Sequence, residues 1–174
     1  MTRADDLGRV VIPKEIRRTM RIREGDPLEI YTDTDGEVIF KKYSPIGELS
    51  EFAAQYAEVL TKNVSSPVVI CDRDHCIAAA GVSKKEVLER RVTPELEDSV
   101  DTHRLYALKQ GDTRRIQPLE GVQYTAGIIA PIISSGDICG SVVFIAADEK
   151  YVPDESDITI AQIASGFLGK QMDE

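Results

Sequence analysis

The chain has 174 residues, 42% of them apolar and 29% charged, with a formal net charge of −9 and no tryptophan. That length suits one medium domain or two small ones; no apolar run approaches the roughly 18 residues a membrane-spanning helix needs, and no charged-then-apolar leader opens the chain. Three cysteines, an odd count, speak against a disulfide framework and for a reducing, cytoplasmic interior.

Val10, Val11 and Ile12 predict a short strand that stops at Pro13. A helix follows, with Lys14, Arg17, Arg18 and Arg21 at i, i+3, i+4 and i+7. At about 100° per residue these cations share one stripe, while Ile16 and Met20 point roughly the opposite way. Arg9 before the helix and Arg23 after it flank the stripe. Residues 1–23 hold seven Lys/Arg against three acids, a net of +4, so the remaining 151 residues sum to −13. A short basic stripe is often no more than a solvated helix face. Concentrated in one segment of an acidic chain, it reads as an electrostatic footprint for a polyanion such as the DNA backbone.

Gly25-Asp26-Pro27 then breaks the chain, and Leu28, Ile30, Val38 and Phe40 alternate on either side of Asp33-Thr34-Asp35-Gly36. The Asp-Gly pair is a hairpin turn signal. A unit of about 43 residues buries too little apolar surface to stand alone, which predicts dimerisation.

The runs LGRVVIPKEIRR, GDPLEIY and DGEVIFKKY resemble the AbrB-like swapped-hairpin DNA-binding domains of bacterial transition-state regulators, over residues 4–43. The resemblance implies a β-barrel interleaved from two chains that grips double-stranded DNA through paired arginines. The positions matching it here are Arg9 in the loop and Arg17 and Arg18 on the helix; Lys14, Arg3, Arg21 and Arg23 are the further candidate DNA contacts. Such domains carry an earlier strand of the form GIVR. Only Met1-Thr2-Arg3-Ala4 stands there in this chain: either the start is truncated or Arg3 alone replaces that strand's cation, and restoring the strand is expected to tighten binding. The same fold also serves antitoxins, which pair DNA binding with toxin capture and usually carry a disordered tail.

Ser44-Pro45 opens the next helix, in which Ile46, Leu49, Ala53, Tyr56 and Leu60 recur at spacings of 3, 4, 3 and 4. This coiled-coil-like seam, widened by Phe52 and Val59, makes residues 44–62 a linker that pairs with its twin or docks on the following domain. Residues 67–71 read as a buried strand bounded by Asp72-Arg73-Asp74, with residues 76–80 as its hairpin partner, closed by Gly81. Ser83 and Glu86 sit at the capping-box positions of a helix over 84–91. Residues 93–120 are polar and show no clear period. Two apolar strands over 126–133 and 139–147 are joined by Ser134-Ser135-Gly136-Asp137. A helix over 154–172 has acids in its first turn, where the helix dipole favours them, and an apolar stripe of Ile160, Ala164, Phe167 and Leu168.

That order describes an α+β domain, a central antiparallel sheet flanked by helices. It resembles the GAF sensor module over residues 63–174. The two modules joined in one chain resemble regulators of late, forespore-expressed sporulation genes, which implies a homodimer or homotetramer responding to a small-molecule effector of unknown identity.

Catalytic chemistry finds little support. Cys71, His75 and Cys76 lie close in sequence, yet C-x₃-H-C does not match the usual zinc pairings, and Cys71 reads as core with His75 in a turn. The three thiols would suit a GAF-type reductase acting on methionine sulfoxide, but two of them lie in apolar strands where a thiolate is disfavoured. His75 and His103 are the only histidines, and neither falls in a nucleophile motif; neither a P-loop nor a dinucleotide fingerprint occurs. No catalytic residue, metal or cofactor is therefore assigned. Arg114 and Arg115, with His103 and Tyr124, are the candidates for binding an anionic effector, the plainer alternative being a solvated strand edge. The chain reads as a cytoplasmic DNA-binding transcriptional regulator, with an antitoxin-type repressor and a GAF-type thiol reductase as alternatives.

Overall fold

A computed structural model describes residues 1–173. The chain divides into two compact units, one ending at Tyr43 and the other beginning at Ser44.

The first unit contains helix α1 (Lys14–Thr19) and strands β1 (Leu28–Thr32) and β2 (Val38–Lys42). The strands pair antiparallel, Leu28 opposite Lys42 and Thr32 opposite Val38. Their turn is held by Asp33, whose Oδ1 accepts from the amides of Asp35 at 3.0 Å and Glu37 at 2.9 Å, while Gly36 takes the left-handed conformation at φ 84° that glycine adopts without strain.

Helix α1 is shorter than its cation spacing predicts. The Ile22 amide donates to the Arg17 carbonyl at 2.8 Å and the Arg21 amide to Arg18 at 3.3 Å, the two bonds of a Schellman stop. Arg21 sits at the left-handed position of that stop, at φ 52°, so it leaves the stripe that Lys14, Arg17 and Arg18 share. Residues 10–12, predicted as a strand, pair with no other strand among the described residues. An apolar extended segment becomes a strand only where a second backbone supplies the ladder.

In the second unit a 3₁₀ turn (Gly47–Leu49) leads into α2 (Ser50–Thr61), then β3 (Val68–Asp72), β4 (Cys76–Ala80), α3 (Lys84–Val87), α4 (Pro94–Asp101), β5 (Tyr106–Ala107), β6 (Ala126–Ser134), β7 (Asp137–Ile145) and α5 (Glu155–Met172). The strands form one antiparallel sheet in the order β4-β3-β7-β6-β5. Its alternating side chains feed two cores. On one face Ile70, Phe144 and Ile128 meet Ala53, Ala57 and Leu60 of α2 and Ala161, Ala164 and Leu168 of α5. On the other, Val69, Val143 and Ile129 meet Val87, Leu96, Val100 and Leu119. This is the α+β arrangement of a central antiparallel sheet between helices.

Local chemistry explains the boundaries. The β6–β7 turn needs only two residues, because Ser135 and Gly136 both take positive φ, 50° and 87°, the requirement of a type I′ hairpin. Asp154 and Asp157 close a reciprocal capping box on α5. The helix predicted over 84–91 stops after one turn: the Glu89 amide bonds to the Cys76 carbonyl and the Cys76 amide to Arg90, both at 2.9 Å, so tertiary pairing to β4 overrides local propensity. Within the unassigned stretch 93–120, Thr93 caps α4 by accepting from the Leu96 amide at 3.1 Å, ahead of Pro94 at the first helical position. Phe167, placed by its spacing on the buried stripe of α5, is exposed instead; Ala161, Ala164, Ser165, Leu168 and Gly169 face the sheet.

Candidate nucleic-acid interface

Not one residue of the first 43 is buried. Leu7 and Val11 are each 73% exposed and Ile30 64%; Val10, Ile16, Met20, Val38 and Ile39 are open as well. Ile12, Ile22, Leu28 and Phe40 are only partly covered, and polar ties add to them. The Asp5 carboxylate takes the amides of Leu7 at 3.0 Å and Arg9 at 2.8 Å on one oxygen and the Arg9 Nε at 2.7 Å on the other, and Gly8 at φ 76° lets the chain turn between them. The Arg9 amide and guanidinium hold the Asp5 carboxyl below its ordinary value of 3.8. Arg9 is thus fastened to a loop while its side chain stays 73% exposed.

Lys14, Arg17 and Arg18 stand on α1 with their side chains in solvent. Arg17 and Arg18 occupy its last turn, where cations complement the helix dipole. Arg3 is exposed near the chain start, and Arg21 and Arg23 are half-buried. The unit is polarised: residues 1–23 carry a net of +4, whereas residues 24–43 carry six acids against two lysines. Asp5 and Asp26 were absent from the predicted site, although an acid four residues before Arg9 is a legible pairing signal.

The four candidate effector residues of the second unit do not line its one described cleft, which holds about 10 Å³ beside Asp72, Arg73, Leu96, Glu97, Asp101 and Ser141, room for about one water. Arg73 Nη2 closes on Asp101 Oδ1 at 3.2 Å across that cleft. Tyr124 donates to Glu86 Oε2 at 3.1 Å, and burial with that carboxylate pushes its phenol up. Arg115 donates to the Glu149 carbonyl at 3.0 Å. Arg114 is exposed. His103 is exposed at φ 60°, with Nδ1 3.0 Å from the Asp101 carbonyl oxygen.

Cys71 and Cys76 face each other across β3 and β4 and are buried, whereas Cys139 is partly exposed. The hydrogen bond with Cys76 and then burial push the Cys71 thiol up; burial does the same to Cys139. Neither carries the stabilised thiolate that sulfur chemistry needs.

Comparison with known proteins adds family and fold. Residues 48–173 match the family model described as stage V sporulation protein T C-terminal, transcription factor, and residues 1–47 match that of the MazE antitoxin, described as antidote-toxin recognition. The chain is 46% identical to stage V sporulation protein T of Bacillus subtilis (strain 168), over 99% of this chain and 96% of that one. It is 60% identical to the transition state regulatory protein AbrB of the same organism over 43 residues, 25% of this chain and 44% of the relative. Among solved structures, the GAF domain/HD domain protein from Geobacter sulfurreducens aligns with a TM-score of 0.55 at 12% identity, covering 76% of this chain and 98% of that one. The type II free methionine-R-sulfoxide reductase from Thermoplasma acidophilum aligns at 0.53 and 14% identity, covering 71% and 94%. At such identities these two likenesses establish a GAF-like fold and nothing about activity.

Proposed function

This chain belongs to the stage V sporulation protein T family, and we propose that it regulates the transcription of sporulation genes in the cytoplasm by binding duplex DNA as a homodimer or a dimer of dimers. One observation carries this reading: a 43-residue unit without a single buried side chain holds Lys14, Arg17 and Arg18 outward on α1. The apolar side chains that one copy leaves in water are the core that two copies close, and closing it doubles the cations. Arg9, Arg17 and Arg18 grip phosphates in this reading, with Lys14, Arg3, Arg21 and Arg23 around them. A six-residue helix offers little surface for reading base edges, so selectivity comes largely from DNA shape.

The second unit acts as the sensor. Phe52 and Tyr56 of α2 and Phe167 of α5 form an aromatic cluster with centroids 5.5–6.1 Å apart. Val59 and the 63%-exposed Ile163 lie on the same two helices, which favours α2 and α5 as the surface through which copies pair. Residues 44–62, docked on the sheet through Ala53, Ala57 and Leu60, are then the segment whose geometry an effector shifts. For an anionic effector Arg114 and Arg115, with His103 and Tyr124, remain the candidate contacts, outside the described cleft.

The test is a fluorescence titration of labelled duplex DNA at several salt concentrations. Affinity falls steeply with salt, and Arg17→Ala or Arg18→Ala each weakens binding across sequences and reduces the log–log slope by about one. An unchanged slope overturns the assignment. The antitoxin reading is favoured by the family model over residues 1–47 and calls for a toxin that co-purifies with the chain.

A further inference from the structure

Resting on the DNA-binding reading above, we propose that Lys42 and Asp26 are positioning residues for the α1 cations, tying the end of that helix to the last residue of β2 and thereby fixing where Arg17 and Arg18 point. Lys42 Nζ donates to the Arg21 carbonyl at 2.8 Å and stands 3.8 Å from Asp26 Oδ2. The same Asp26 oxygen accepts from the Arg23 amide at 2.8 Å, and the Asp26 amide returns a bond to the Arg23 carbonyl at 3.1 Å. One ammonium and one carboxylate thus bracket residues 21–26, the connection by which α1 reaches the hairpin.

Two features separate this pair from the surface charges around it. Its side chains are only 20% and 14% exposed, whereas Arg9 and many of the unit's apolar side chains stand largely in solvent. It also sits at the exit of a helix none of whose residues is buried and whose backbone leaves through the left-handed Arg21. Lys42 supplies a charged donor to the backbone at the end of the helix next to Arg17 and Arg18.

The pair gives a test whose sign discriminates. Asp26 is an acid in a DNA-binding unit, so as a bystander its neutralisation would leave affinity unchanged or raise it. As a positioning residue its loss must lower affinity. In the full chain, titrated with labelled duplex DNA, Asp26→Asn is expected to weaken binding about tenfold, the equivalent of one charge-assisted bond, and to make the salt slope shallower although no cation was removed. Lys42→Met is expected to match it, Lys42→Arg to stay within about twofold of the parent because a guanidinium can serve both acceptors, and the double variant Asp26→Asn/Lys42→Met to be no weaker than either single one.

Asp26→Asn binding as tightly as the parent, or more tightly, overturns the proposal. Thermal melts by circular dichroism identify a temperature at which the Lys42 variants are folded; equal affinities of Lys42→Met and Lys42→Arg there overturn it as well. Failure of the underlying reading looks different: the parent chain then shows no salt-dependent binding, or Arg17→Ala and Arg18→Ala leave that binding unchanged.

Discussion

The two units solve the problem of burial in opposite ways. From Ser44 onward a five-stranded sheet separates two apolar cores, and each fully buried Ile, Val or Phe contributes about 1.5–3 kcal/mol, so one copy suffices. Before Ser44 no side chain is buried, and short polar ties supplement partial packing: Arg9 on Asp5, Asp33 across the hairpin turn, Lys42 on Arg21. The contrast supports the proposal that the first unit is half of an object, its cations displayed on a scaffold that a second copy completes, whereas the second unit buries two cores within one copy.

The largest effect that would break this comparison comes from the self-sufficient unit. A side chain at Gly140 would fall onto the Cys71 carbonyl oxygen of the paired strand. Gly140→Ala should therefore cost roughly 4 kcal/mol or more, lost chiefly from the second unit in a denaturant titration; near-wild-type stability would mean that β3 and β7 are less closely paired than described. An intermediate effect belongs to the first unit. Ile30→Asp on the open hairpin face should cost little within one copy, yet abolish association of the first unit by charging the surface two copies bury, at about 1.5–3 kcal/mol per subunit. Sedimentation of residues 1–43 should then show a monomer where the parent sequence dimerises; an unshifted dimer would place the interface elsewhere.

The smallest effect is a titration. The Asp5 carboxyl is depressed in the folded loop, so its bonds to Leu7 and Arg9 are present above the ordinary value of 3.8 and are lost as pH falls through the lower, folded value. The Leu7 and Arg9 amide shifts followed by NMR should titrate with a midpoint below 3.8, and Asp5→Asn should remove the transition. A midpoint at or above that value would show the loop open.

Much of this is legible in the sequence. Apolar strands bounded by Gly and Asp turns marked β3, β4, β6 and β7, because a strand buried on both faces writes itself as a continuous apolar run. Charge is written directly in residue type, so Lys14, Arg17 and Arg18 were legible as one exposed group. Arg21 falls off the stripe because a Schellman stop ends the helix, a stop that glycine would have announced. Features set by tertiary contact are not legible. α4 stayed hidden because a mostly polar helix shows only Leu96 and Val100 as its buried pair, and its Thr-Pro start went unread. α3 came out short because Glu89 and Arg90 bond to Cys76, a partner with no local signature. The effector candidates Arg114, Arg115, His103 and Tyr124 were chosen by residue type alone, and type does not encode convergence.

The most direct test of the central claim is isotope-filtered NMR on a mixture of differently labelled copies of residues 1–43. Contacts between copies among Leu7, Val11, Ile30 and Val38 are the predicted result, since these side chains have no other shelter. Cross-peaks confined to single copies, with the same methyls still exposed to water, would contradict the account.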